Sequence, residues 1–162
     1  MRRKDRAVTD PADIEEIISR CDCCRLGLTD GQEVYIVPMN FGYVRTGTEQ
    51  ILYFHCAKEG RKLDLLAQNP RVGFEMDASH ALRTADIACG HSFYYESVIG
   101  TGTVAVVDDV ETKQAGLAAV MQHYTGRTEW SFDEKLLQRT IVLRLTIDSL
   151  SAKRHSPPNL SV

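Results

Sequence analysis

The chain has 162 residues, 43% apolar and 25% charged, with a formal net charge of −3. That size and balance suit one ordinary soluble domain, long enough to bury a core without staples. The slight acidity leaves no electrostatic footprint for nucleic acid, and no apolar run reaches the length of a membrane-spanning helix.

The basic start, "MRRKDR", carries an Arg2-Arg3 pair that would suit a twin-arginine export signal. Only "AVTDPADIEEI" follows, with no apolar stretch, so a cytoplasmic location is expected instead. "TDPADIEEIISRC" then has the marks of a helix. Thr9 or Asp10 can cap it, Pro11 suits its first turn, and Ile14, Ile17 and Ile18 share one face. Cys21, Cys23 and Cys24 are crowded but lack paired C-x-x-C spacing, and strand alternation would point Cys23 and Cys24 apart. They are read as small core hydrophobes, with no metal site expected. The odd total of five cysteines argues against a disulfide framework.

"CCRLGLTDGQEVYIVPMNFGYV" reads as strand, turn at Thr29-Asp30-Gly31, and strand, with Pro38 implying an edge, a bulge or a strand end. A further hairpin is predicted around Thr46-Gly47-Thr48. Residues 61–68 should form a short helix with Leu63 and Leu66 on one side, ending before Pro70. "RVGFEMD" is the next strand, and residues 78–91, which have no clear period, are read as a loop. In the long strand "SFYYESVIGTGTVAVV", Gly100 and Gly102 permit a bend or a close backbone approach. "DDVETKQAGLAAVMQHYTG" is helical, with an acidic start and a stop at Gly126, and "RTIVLRLTIDSLSAKR" closes the chain as a strand. At least six strands with about three helices around them do not make βαβ units. The predicted fold is mainly β, an antiparallel barrel with peripheral helices, spanning residues 1–155 as one domain with a loose tail at 156–162.

Most motif matches fail on context. "GTGTVA" fits G-x-G-x-x-A, but it lies inside a β-rich run with no helix after it, and neither a P-loop nor G-x-S-x-G occurs. The histidines at 55, 80, 91, 123 and 155 show no metal-ligand spacing. The chemistry concentrates in "LYFHCAKEGRKLDLL", where an apolar run ends at His55-Cys56-Ala57 and a basic turn opens a helix. An anion at a helix N-terminus gains unpaired N–H groups and a partial positive charge. Lys58, Arg61 or Lys62 can add charge-assisted bonds, and Gly60 lets the backbone come close. The same residues would also make a solvated basic turn, so composition leaves both readings open.

Four blocks, "RRKDR", "VPMNFGY", "YFHCAKEGRKLDLLAQNPRVGFE" and "YYESVIGTGTV", resemble in order and spacing the Nim family of 5-nitroimidazole-resistance proteins, from about Arg2 to Arg154. These belong among the pyridoxamine 5′-phosphate oxidase-like flavoproteins. The resemblance implies a split β-barrel that binds FMN at the interface of a homodimer. It sets His55, in the block F-H-x-A-x-x-G-x-K, beside the cofactor, with Gly60 and Lys62 at the phosphate; Cys56 stands where a serine is common. The implied cofactor contacts are Pro38, Met39, Asn40, Phe41, His55, Cys56, Ala57, Lys58, Gly60, Lys62, Ser97 and Val98, with backbone groups around Met39, Asn40 and Phe41 meeting the polar edge of the isoalloxazine.

The expected function is therefore an FMN-dependent oxidoreductase serving a small-molecule electron acceptor such as a nitroaromatic, with no nucleic-acid or membrane partner. His55 would orient the acceptor or give it a proton, because histidine titrates near neutrality. Trp130 and the pair Tyr94-Tyr95 would border that pocket or simply pack the core. The alternative is a flavin- or haem-binding carrier or sensor without turnover. No nicotinamide motif identifies an electron donor.

Overall fold

The computed structural model describes residues 3–157. Its elements are β1 (Ala7–Val8), α1 (Pro11–Arg20), β2 (Cys24–Thr29), β3 (Val34–Met39), β4 (Phe41–Thr46), β5 (Glu49–Cys56), α2 (Arg61–Gln68), β6 (Arg71–Arg83), β7 (Ser92–Val107), α3 (Val110–Thr125), α4 (Glu134–Arg139) and β8 (Ile141–His155). One eight-stranded antiparallel sheet runs β3-β2-β6-β7-β8-β5-β4, with β1 added alongside β8. The two edges, β3 and β4, are consecutive in the chain and joined by Asn40 alone. A sheet whose edges are one residue apart must curl until they nearly meet, which makes this a split barrel rather than a closed one. Pro38 sits on edge strand β3 opposite Arg25, where its missing N–H costs no interior ladder bond. Among the described residues no helix is long and apolar enough to cross a membrane.

Antiparallel register puts directly opposite residues on the same face. The inner face gathers Leu26, Leu28, Phe41, Leu52, Phe54, Met76, Val98, Leu143 and Leu145, plugged by Ile17 and Ile18 of α1 and by Leu65 and Leu66 of α2. The outer face is covered over β4, β5 and β8 by α3, whose Val120 and Leu117 pack on Ile51, Tyr53, Val107 and Val142. Contact there is backbone-close: a Cβ on Gly42 would overlap the α3 backbone at Ala119 and Val120, and one on Gly116 would press into the Tyr53 ring.

Local signals explain most boundaries. Asp10 caps α1, accepting from the N–H of Ala12 (2.8 Å) and of Asp13 (3.3 Å). Asp30 Oδ1 folds the β2–β3 turn by accepting from Gln32 and Glu33, both at 2.9 Å. Gly100 lies against the Phe74 ring and the Ser149 carbonyl, and the β7–β8 register shifts at Thr101/Gly102, so the close approach read from these glycines is present.

Two features differ from expectation. Residues 78–83 are strand, not loop: β6 continues past the buried Ala78 and a bulge at Ser79 (φ 59°) to Arg83, and residues 79–83 are exposed on both sides, so no two-residue burial period marks them. In α2 Leu63 and Leu66 both pack on the inner core as expected, joined by Leu65. The short helix α4 was not anticipated, because Leu137 is its one buried residue. His155 closes β8, and residues 158–162 of the predicted tail, like Met1 and Arg2, lie outside the described residues.

One buried charge ties α1 to the sheet. The Glu96 side chain on β7 is 7% exposed and accepts from Arg20 (Nη2 2.8 Å, Nε 2.9 Å), Arg154 (Nε 2.6 Å) and the Ser79 hydroxyl (2.8 Å). Burial pushes its carboxyl up, but the bonds from Arg20, Ser79 and Arg154 outweigh burial and hold it below the ordinary value. A depressed carboxylate contributes stability above its unfolded-state value and loses it as pH falls through the folded-state value. Glu96→Ala should cost about 3 kcal/mol at pH 7, the low end for a broken buried pair, because both arginines keep Glu16 nearby. In urea melts the gap between wild type and Glu96→Ala should stay constant above pH 6 and narrow progressively below about pH 4.5.

Candidate functional site

The last two residues of β5 divide the site. Cys56 pairs with Ile141 and faces the inner core; His55 pairs with Val142 and faces outward. Burial pushes the Cys56 thiol up, opposed by the nearby charge of Lys62. After Cys56 the chain turns through Gly60, at φ 140°, into α2. No side chain caps α2, and the Gly60 carbonyl accepts from the N–H of Leu63 (2.8 Å), so the Arg61 and Lys62 amides stand ahead of the first helical bond. Arg61 is engaged elsewhere: its Nη2 is 2.7 Å from Glu33 Oε2, and its guanidinium lies 5.0 Å over the Tyr35 ring. Lys58 and Lys62 make no ion pair among the described residues. Two unpaired ammonium groups and an uncapped helix mouth form a donor set that fits a phosphate, with Arg61 contributing less than its position in the sequence implies.

At the β3–β4 junction Pro38 and Asn40 are exposed, while Met39 and Phe41 turn into the core. The Phe41 amide is already used, donating to the Tyr124 hydroxyl at 3.2 Å; that hydroxyl in turn donates to the Asp22 carbonyl at 2.8 Å. The Phe41 and His123 rings pack at 4.3 Å, and His123 Nε2 lies 2.8 Å from the Cys21 carbonyl. The end of α3 therefore clamps the junction beside the exposed Asn40.

His55 opens onto a cavity of about 310 Å³ between the end of β5, α3 and α4. Its apolar wall comes from Leu117, Val120, Met121, Phe132 and Leu137. Asp133, at its rim, caps α4 by accepting from the Leu136 N–H at 3.0 Å. Sequence reasoning missed Tyr124 and this wall; Gly116 and Val120, a buried pair four residues apart on α3, carried the available signal.

Other expected contacts lie apart from His55 within one chain. Val98 is fully buried in the inner core. Ser97 is on the outer face of β7, ten residues before Val107, the residue level with His55 across β8; that is roughly 30 Å along the strand. Trp130 borders a different cavity with Glu111 and Gln114, its indole N–H donating to the Arg127 carbonyl at 3.0 Å. Tyr94 and Tyr95 line a cleft beside Glu96 and Arg154 at the far end of β7. Cys21 and Cys24 are buried among apolar neighbours, and burial pushes the Cys21 thiol up to about 12. Among the described residues no three His, Cys, Asp or Glu side chains converge as a metal ion would need.

This architecture has known counterparts. A candidate 5-nitroimidazole antibiotic resistance protein from Bacteroides thetaiotaomicron is 32% identical, with a TM-score of 0.78, over 91% of this chain and 85% of that one. A flavocytochrome from Azotobacter vinelandii shares the fold at 20% identity and a TM-score of 0.78, over 100% of this chain and 75% of its own. An FAD- and haem-binding protein from Mycobacterium smegmatis does so at 22% identity and 0.78, over 95% and 76%. No curated protein is similar enough to count as a relative. The family profile described as pyridoxamine 5′-phosphate oxidase matches residues 10–154, nearly the whole chain, and the protein belongs to that family.

Proposed function

We propose that the protein is an FMN-binding oxidoreductase that acts as a homodimer on nitroimidazoles or similar small acceptors. The observation that carries this reading is the uncapped mouth of α2 with Lys58 and Lys62 unpaired, directly after His55. When bound, FMN supplies the redox chemistry. The chain's own residues do the rest: the α2 amides and two lysines hold a phosphate, Asn40 offers polar groups at the β3–β4 junction, and His55 presents a ring nitrogen to the acceptor. Flavin and haem named for structural neighbours support a redox protein of this class, and the resistance protein from Bacteroides supports the nitroimidazole assignment.

The dimer draws support from an unpartnered apolar patch on the open part of the outer face. Val34 and Ile36 on β3 are 74% and 64% exposed, and Ile99 on β7 is 53% exposed, across Gly27 and Gly73. A second copy laid on this face would cover them. It would also bring Ser97, which lies on the same face, to a cofactor held by the other chain.

Three measurements test the proposal. FMN should bind at least tenfold more tightly than riboflavin, and Lys62→Glu should erase that margin, since a charge-assisted bond is worth about 1.5–3 kcal/mol. Equal affinities in a fluorescence titration would refute the phosphate seat. Sedimentation at micromolar concentration should give about twice the 18.2 kDa chain mass, and Ile36→Glu with Ile99→Glu should yield monomers that release flavin. A stable monomer with full FMN affinity contradicts the shared site. In anaerobic stopped flow, a nitroimidazole should reoxidise the reduced holoprotein with saturating kinetics, and His55→Ala should slow it by about 10²–10⁴ with the flavin spectrum intact. A rate no faster than that of free reduced FMN would favour a carrier without turnover.

A further inference from the structure

We infer that the outer face at the far end of β7 carries a second anion site, in which Arg6, Lys153, Tyr95 and Ser97 receive a phosphate group. Within one chain this site is separate from the mouth of α2, and it stands without the flavin reading. Its first support is a pair of cations left over by the rest of the fold. Arg20, Arg25, Arg45, Arg61, Arg144 and Arg154 each reach a carboxylate at 2.6–2.9 Å. Arg6 and Lys153 make no ion pair among the described residues, and both are half-buried rather than freely solvated. Arg6 Nη1 is 3.5 Å from the Tyr95 hydroxyl, a long bond, and its guanidinium lies 5.9 Å over the Tyr95 ring. Arg6 Nε is a buried side-chain nitrogen with no hydrogen-bond partner among the described residues. An unmade bond at a buried, charged donor is costly and unusual, and it points to a partner supplied by a ligand.

The second support is strand register. Ser97 and Lys153 are directly opposite across β7 and β8, which sets their Cβ atoms about 5 Å apart on one face. Tyr95 is on the same face two residues along, roughly 7 Å away, and is opposite His155. On the other side of Lys153 stands the small, exposed Ala7 of β1, with Arg6 next to it in the chain. The carboxylates nearby are already committed. Asp77, opposite Ser97 on β6, is bonded to Arg25 at 2.7 Å and to His80 at 3.0 Å. Glu96 faces the other way and is 2.6 Å from Arg154, and Asp5 is 2.6 Å from Arg3. His155 spends Nδ1 on the Phe93 carbonyl at 2.7 Å, which leaves Nε2 beside the group.

A guanidinium, an ammonium and two hydroxyls are more donors than a carboxylate can use. They suit the three terminal oxygens of a phosphate monoester, with Arg6 as a fork and Lys153 as a point charge. Two sources share this chemistry. One is a free phosphate ester. The other is the phosphate of a flavin held by a second copy, to which Ser97 would come in the dimer proposed above.

The test follows the ¹⁵N signals of Arg6 Nε and Lys153 Nζ in the full chain as inorganic phosphate is added at constant ionic strength. Both should shift saturably with phosphate and not with chloride. Lys153→Gln should weaken phosphate about tenfold as read at Arg6, and Arg6→Gln should do the same as read at Lys153. Lys62→Glu separates the sources. A free phosphate ester requires unchanged phosphate affinity at Arg6 in that variant. A flavin phosphate shared between copies requires the affinity to fall there too, and requires FMN but not riboflavin to move the Arg6 signal. No shift at Arg6 with either phosphate or FMN, an equal response to chloride, or equal phosphate affinity in wild type and Lys153→Gln would overturn the inference. The flavin reading fails separately. A protein that takes phosphate at Arg6 without affinity for FMN keeps this site and loses the cofactor, whereas tight FMN binding with Arg6 and Lys153 silent to phosphate loses this site alone.

Discussion

The constraint on which the rest depends is the single-residue link between β3 and β4. Strands at opposite edges of an eight-stranded sheet can be joined by Asn40 only if the sheet rolls until those edges converge. The roll creates an inside, which Phe41, Phe54, Leu143 and Met76 fill, and an outside, on which α3 lies. It also strips the junction of alternatives. Pro38 removes a ladder donor on one side of Asn40, and the Phe41 amide on the other is held by Tyr124. The split is therefore pinned by side chains at the end of α3, more than eighty residues later in the chain.

Strand periodicity then decides the layout of the site. Because successive residues face opposite ways, His55 and Cys56 cannot serve the same side of the sheet. Cys56 belongs with Lys62 and the mouth of α2; His55 belongs with α3 and α4. A polar, cationic region and an apolar cavity thus meet at one strand end. Adjacent residues of β5 carry them, so neither can drift relative to the other.

Much of this was legible in the sequence where local chemistry is strong. Asp10 with Pro11 announced α1, Asp30-Gly31 announced the first hairpin, and Gly60 between lysines announced the helix mouth. The losses have physical causes. Residues 79–83 extend strand β6 but none of them is buried, so the pattern that reveals a strand was missing. Arg61 looked equal to Lys62 in a linear reading, and only the fold brings Glu33 and Tyr35 within its reach. The wall around His55 comes from residues 117–140, where α3 mixes buried and half-buried positions and α4 buries one leucine. Such a wall is a product of tertiary packing and leaves little trace in periodicity.

The two kinds of support in the molecule explain where variation is tolerable. His55 and Cys56 stand at the end of β5, paired with Val142 and Ile141 of β8, so their backbone is fixed before any ligand arrives. The rim of the cavity is built differently. Residues 126–133 form no regular element, and α4 is anchored by Leu137 and by the Asp133 cap. Substitutions at Phe132 or Leu136 would therefore change the shape of the wall with little effect on the sheet. His55 and the side chains that wall its cavity lie on separate elements, with the wall on the part of the chain less constrained by the barrel.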